Sequence, residues 1–214
     1  MSERGGTELL LIRHGHSADV VPGSAESNDP ALDEEGERQA ELLGARLAPD
    51  RKRIDAVYSS DLRRASGTAR WLAGPRGLGV ETRPALREVH LGDWERGEFR
   101  RRAAVRDPEW LAFAQTGRWD NVPGSEGDDA LRARVRGAIE DIVAGHPDHT
   151  VAVVAHGGVI NAYLAEVTGN PRSFFAAIEN TSITVVRANR DLRTIVVMND
   201  CSHLYDPVLG PPLG

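Results

Sequence analysis

Leu9-Leu10-Leu11-Ile12 is an unbroken apolar run that stops abruptly at Arg13-His14-Gly15. A run of this length closed by a glycine reads as a buried strand followed by a sharp turn. Arg13 and His14 then stand at the carboxyl end of a core strand, the end at which open α/β sheets build their binding crevices. A guanidinium offers planar, permanently charged donors to a phosphate, and a neutral imidazole is a nitrogen nucleophile available near neutral pH. Three residues do not settle the matter, because a solvated arginine beside a capping histidine would read the same way.

Two further apolar runs end in a similar style. Val57-Tyr58 leads into Ser59-Ser60-Asp61, a helix-start signal followed by Arg63 and Arg64. The start of a helix attracts anions through its free N–H groups and macrodipole, and either arginine would add to that preference. Val151-Ala152-Val153-Val154-Ala155 ends in His156-Gly157-Gly158, repeating the order of strand, histidine and glycine. Between these runs, Leu86-Arg87-Glu88 offers a carboxyl group, the kind of proton donor that a departing alkoxide needs.

Strands near 8–13, 54–58 and 151–155 alternate with helical patterns near 34–48, 61–73 and 126–144. That alternation predicts an α/β fold in three layers, with a mostly parallel central sheet and helices on both faces. Ile183-Thr184-Val185-Val186 and Thr194-Ile195-Val196-Val197, separated by Asn189-Arg190-Asp191, predict a closing hairpin. No repeat or linker divides the chain, so residues 1–214 read as one domain, ending in a loose Pro/Gly-rich tail over 206–214.

Taken together, these segments resemble the histidine phosphatase superfamily, also called the phosphoglycerate mutase-like family, over nearly the whole chain. The R-H-G-x-[S/T] motif is similar to Arg13-His14-Gly15-His16-Ser17. The S-x-L-x-R-A-x-x-T-A pattern is similar to Ser60-Asp61-Leu62-Arg63-Arg64-Ala65-Ser66-Gly67-Thr68-Ala69, and selects Arg64 over Arg63. Leu86-Arg87-Glu88 with Gly92-Asp93-Trp94-Glu95, and Ala155-His156-Gly157-Gly158-Val159-Ile160, resemble two further motifs. The first helix start at Leu32-Asp33-Glu34-Glu35-Gly36, Asn180-Thr181-Ser182-Ile183 and Asn199-Asp200-Cys201-Ser202-His203-Leu204 agree with them.

The resemblance implies a phosphoglycerate mutase-like fold and a phosphomonoester hydrolase that works through a phosphohistidine. His14 attacks phosphorus, Glu88 protonates the leaving oxygen, and water then hydrolyses the intermediate. Arg13, Arg64 and His156 hold the phosphoryl oxygens, with Ser17 and Gly157 also on the substrate. Phosphoryl transfer is mostly positioning and charge stabilisation, so two arginines and a histidine can do this without a metal or other cofactor. The arginines also disfavour a protonated imidazole and keep His14 neutral.

Two departures bear on that reading. Val20 stands where many family members carry an asparagine, and Asp19 stands where mutases place a tryptophan, which favours a phosphatase over phosphoglycerate mutase-type transfer. Trp94-Glu95-Arg96-Gly97 replaces the usual W-E-G at the edge of the substrate loop. A phospholigand-binding protein without turnover is the remaining alternative, and the presence of both nucleophile and acid argues against it. Residues 96–123 hold Arg100-Arg101-Arg102, Arg106, Trp110, Phe113 and Trp119 and are the expected lid. Its arginines read mainly as a solvated helix face, and its aromatic residues as a rest for the leaving group.

Other chemistries fit less well. His14, His16, His90, His156 and His203 could be read as a metal cluster, but the acidic run Asp33-Glu34-Glu35 is better explained as a helix start than as metal ligands. His90 and His203 read as core or supporting residues. Cys201, the single cysteine, reads as a small buried residue, since Pro207 stands where a cysteine phosphatase needs arginine. A net charge of −6 argues against nucleic acid, and no stretch approaches a membrane span. Arginine supplies 25 of the 26 basic residues, so one arginine alone is weak evidence for a site. The polar start Met1-Ser2-Glu3-Arg4 predicts a cytoplasmic protein; the resemblance implies a small phosphorylated metabolite as substrate, with a homodimer left open.

Overall fold

The computed structural model describes residues 6–18 and 29–205. A six-stranded sheet forms its middle layer, in the order β3-β2-β4-β1-β5-β6. These strands are β1 (Thr7–Arg13), β2 (Ala56–Ser59), β3 (Val80–Thr82), β4 (Thr150–Ala155), β5 (Ile183–Asn189) and β6 (Leu192–Asp200). β1, β2, β3 and β4 pair in parallel, and β5 alone runs against the rest, with β1 on one side and β6 on the other. The expected closing hairpin is β5–β6.

β1 is central because its leucines have two faces to fill. Leu9 and Leu11 pack with Val151 and Val153 against α5 (Gly127–Gly145) and α6 (Gly157–Thr168). Leu10 and Ile12 pack with Ala152 and Val154 against α1 (Glu34–Arg46) and α2 (Arg63–Ala73). Both sets are buried, so the apolar run needs no polar alternation. The result is the three-layer α/β arrangement with helices on both faces.

α1 starts where Asp33 accepts a hydrogen bond from Gly36 N at 2.8 Å, with Glu34, Glu35 and Glu37 in the first turn. Its first turn lies directly on the loop after β1: a Cβ on Gly15 would meet Gly36 O at 2.6 Å, and one on Gly36 would collide with His16 O. α2 corrects an expectation. It begins at Arg63 rather than Asp61, and the Ser-Ser-Asp triplet does not cap it; the Arg63 N–H is taken by Asp29 Oδ1 at 2.8 Å, from a distant loop.

Between β3 and α5 lie two short helices, α3 (Glu98–Ala104) and α4 (Pro108–Thr116). Asp19, Val20, the first five residues and the tail over 206–214 lie outside the described residues. Among the described residues, no helix is long and apolar enough to cross a membrane.

Candidate active site

The carboxyl ends of β1, β2 and β4 converge, and the loops leaving them carry the expected residues. His14 N donates to Ala155 O, which fixes the end of β1 to the end of β4. Asn180 Nδ2 donates to His14 O at 2.8 Å, and Thr181 N donates to Arg13 O at 2.9 Å, so the Asn180-Thr181 turn ties down the same segment. Gly15 N donates to Thr68 Oγ1 on α2 at 3.0 Å. The backbone around the histidine is thus held from three elements.

The His14 ring has a defined tautomer. Its Nδ1 lies 2.6 Å from Gly15 O, and a carbonyl can only accept, so Nδ1 carries the proton. Its Nε2 keeps the lone pair and accepts from Arg64 Nε at 3.2 Å. Burial, and then the Arg64 and Arg13 guanidiniums, push the His14 pKa well below 6.5 and outweigh the opposing bond to Gly15. The imidazole is therefore neutral, as the neighbouring arginines predict.

His156 stands between the end of β4 and the start of α6, with its ring centroid 5.0 Å from that of His14. It is fully buried, yet neither ring nitrogen has a hydrogen-bond partner among the described residues. Burial, followed by Arg64 and His14, also holds its pKa well below 6.5. The Arg13 Nε is a third buried polar atom without a partner, while Arg13 Nη1 is anchored on Ile178 O. Buried polar atoms are normally satisfied. The Arg13 Nε–H and the single N–H of the neutral His156 ring therefore stand as unused donors beside His14, a site for an oxygen-rich ligand.

Glu88 faces the same space from the opposite side. Its Oε1 accepts from Val89 N at 2.9 Å and its Oε2 from Gly158 N at 3.4 Å, in the first turn of α6. A Cβ on Gly158 would lie 2.5 Å from Glu88 Oε1, so only glycine leaves the carboxylate this position. Arg13, His14, Ser17, Arg64, Glu88 and Gly157 all line one cavity of about 380 Å³.

The cavity also takes residues that sequence reasoning misplaced. Arg100 lines it and donates to Ser17 Oγ at 3.2 Å, whereas Arg101 and Arg102 pair outside with Glu98. The expectation of a solvated arginine face holds for the exposed Arg101; Arg102 is half-buried, its guanidinium 5.3 Å from the Trp94 ring centroid, and Arg100, though exposed, reaches the cavity because α3 turns one side toward the site. Arg96, at φ 55°, and Gly97, at φ 87°, make the turn that admits Arg96 to the cavity edge. Trp94, Phe99 and Trp119 form an aromatic wall. Trp110 and Phe113 do not line the cavity; Phe113 is buried in the core against Trp119.

Apart from the neighbouring His14 and His156, the histidines read as possible metal ligands are dispersed. His16 pairs with Asp33 at 2.5 Å, and His203 lies 3.1 Å from Thr181 Oγ1 beneath the β1 end. Among the described residues, no three metal-ligating side chains come together. Cys201 is half-buried rather than buried.

Residues 9–201 match the model of the histidine phosphatase superfamily (branch 1). Phosphoglycerate mutase-like protein 4 of Arabidopsis thaliana is 34% identical, with 93% of this chain and 87% of the relative covered. The metal-independent phosphoserine phosphatase of Arabidopsis thaliana is also 34% identical, over 92% of this chain and 83% of that protein. The solved structure of a mycobacterial glucosyl-3-phosphoglycerate phosphatase with VO3 superposes with a TM-score of 0.75 at 31% identity, covering 90% of this chain and 98% of its own. With the likeness running from the first core strand to the last, and over nearly the full length of relatives named as phosphatases, the chain belongs to the histidine phosphatase superfamily, branch 1, as a phosphomonoester hydrolase.

Proposed function

We propose that hydrolysis proceeds through a phosphohistidine on His14 with Glu88 as general acid. The observation that carries this is the His14 tautomer: Nδ1 gives its proton to Gly15 O, and Nε2 keeps its lone pair toward Arg64, beside the unpaired nitrogens of Arg13 and His156. Nε2 attacks phosphorus, the P–O ester bond breaks, and its electron pair goes to the leaving oxygen, which takes the Glu88 proton. Water then attacks phosphorus, Glu88 accepts a water proton, and the N–P bond returns its pair to Nε2. Arg13 and Arg64 neutralise the equatorial oxygens and the neutral His156 donates an N–H to them, with Ser17 and Gly157 on the rim.

The substrate class is a small phosphorylated metabolite that carries a second negative group. Arg100 supports this, since its guanidinium lines the same cavity as His14, adds a third cation to Arg13 and Arg64, and is shared only with the neutral Ser17 hydroxyl among the hydrogen bonds formed there. Phosphoserine and phosphoglycerate esters, named for the relatives, both carry a carboxylate. In this reading residues 96–123 act as the lid, within one domain, and the protein works in the cytoplasm.

Phosphate release from phenyl phosphate in excess chelator, compared with His14→Ala, tests the mechanism. Chelator-resistant turnover that disappears in the variant, together with an acid-labile phosphoryl group trapped on the native chain, is the expected result. Turnover abolished by chelator would replace it with a metal mechanism.

A further inference from the structure

The side chain of Glu88 has few contacts of its own, yet the loop that carries it is held at almost every backbone position. Arg134, on the buried side of α5, donates through Nη1 to Ala85 O at 2.9 Å and Arg87 O at 2.8 Å, and through Nη2 to Glu88 O at 3.2 Å. One guanidinium thus gathers three carbonyls, two just before the acid and the acid's own. The planar fork of arginine allows this, and the single ammonium of a lysine does not.

Glu126 completes the arrangement. It accepts from Arg134 Nε at 2.8 Å and Nη2 at 2.6 Å, which fixes the guanidinium plane. It also takes His90 N at 2.8 Å on Oε1, while its own N–H donates to His90 O at 3.1 Å. Burial works against its charge, but the bonds from Arg134 and His90 N–H outweigh it and hold the carboxyl below its usual range. Arg87 reaches the other way and binds Asp61 through two N–H groups at 2.8 and 2.5 Å, joining the loop to the approach to α2.

We infer that Arg134 and Glu126 are positioning residues for the general acid: together they set the backbone of residues 85–90 so that the Glu88 carboxyl meets the leaving oxygen. This rests on the assignment of Glu88 as acid. Neither residue lines the cavity with His14; both line the adjoining groove on the outer side of Glu88. A misplacement of about 1 Å in an acid is enough to cost a large part of its contribution, which is typically 10²–10⁴-fold.

Protonation of the leaving group matters greatly for phenyl phosphate and little for 2,4-dinitrophenyl phosphate, whose phenol is a strong acid. The ratio of their kcat/KM values therefore reads the acid and ignores general loss of folded protein. Arg134→Lys keeps the charge that bears on His156 but loses the fork, and Glu126→Gln keeps the shape and loses the charge. Both are expected to raise the ratio about ten-fold or more in favour of the dinitrophenyl ester, in the same direction as Glu88→Gln. An unchanged ratio in both variants, with Glu88→Gln raising it, overturns the positioning role alone. An unchanged ratio in Glu88→Gln overturns the assignment of the acid itself. If Arg134→Lys does not fold, Glu126→Gln decides.

Discussion

Arg64 Nε stands 3.2 Å from His14 Nε2, so the nitrogen assigned to attack phosphorus is the one that accepts an arginine N–H. The guanidinium covers the lone pair and, after burial, is the next largest influence keeping the ring from taking a proton. In the proposed mechanism, a phosphoryl oxygen arriving between them would take over the arginine N–H and free the lone pair.

Arg64→Met removes one of the cations that depress the His14 pKa, so that pKa rises toward 6.5. In the native protein the acid limb of kcat/KM from this group lies well below pH 6.5; in the variant it moves upward, on top of a lower plateau. A pH profile of kcat/KM shows both. A limb that stays in place would mean that burial alone keeps the ring neutral.

Gly158→Ala places a methyl group 2.5 Å from Glu88 Oε1, in a helix where alanine is otherwise a better residue than glycine. Loss of kcat/KM by about ten-fold or more, with helical circular dichroism retained, is the expected outcome. Native-like turnover would show that the carboxylate can work from a different place.

Arg100→Met separates substrates by charge. A charge-assisted pair of this kind contributes about 1.5–3 kcal/mol, or roughly ten-fold to a hundred-fold in binding. KM for phosphoserine or 3-phosphoglycerate should rise by about that factor, and KM for phenyl phosphate much less. Equal rises for both classes would assign Arg100 to the phosphate instead.

His203 is pushed from 6.5 to about 4 by burial, with Asp200 opposing. The unfolded chain takes up this proton near pH 6.5 and the folded chain does not, so stability falls as pH drops from about 6.5 to 4. One group of this kind contributes a slope of about 1.4 kcal/mol per pH unit inside that window. Denaturant unfolding of His203→Gln against the native protein should show a shallower pH dependence by close to one proton. An identical slope would mean that the ring does charge in the folded state.

Legibility in the sequence followed the kind of contact involved. β1 and β4 are plain because strands buried on both faces are unbroken apolar runs, and α1 because Asp33 and its acidic first turn are local signals. β3 is three residues, Val80 half-buried and Glu81 and Thr82 exposed, and leaves no such trace. α6 is buried almost all round, so it has no apolar stripe to count, and its Gly157-Gly158 start reads as a loop. The start of α2 was misread because its partner, Asp29, is 34 residues away. His14, Glu88 and His156 stand in motifs; Arg100 is one of three adjacent arginines whose directions depend on how α3 is set. Arg134 leaves no motif because its partners are mainly backbone carbonyls, which every residue has.

The central place of β1 has a consequence for how the chain comes to be folded. Leu9 pairs with Val151 on one side and Val186 on the other, strands that are synthesised far later. The most apolar segment must therefore leave the ribosome and wait, unpaired, for most of the chain, a situation that favours chaperone capture and off-pathway association. It also means that a nascent chain stopped before β4 has His14, the proposed nucleophile, but lacks His156 and Gly157. Enzyme activity appearing during translation would time the closing of the sheet rather than the making of His14.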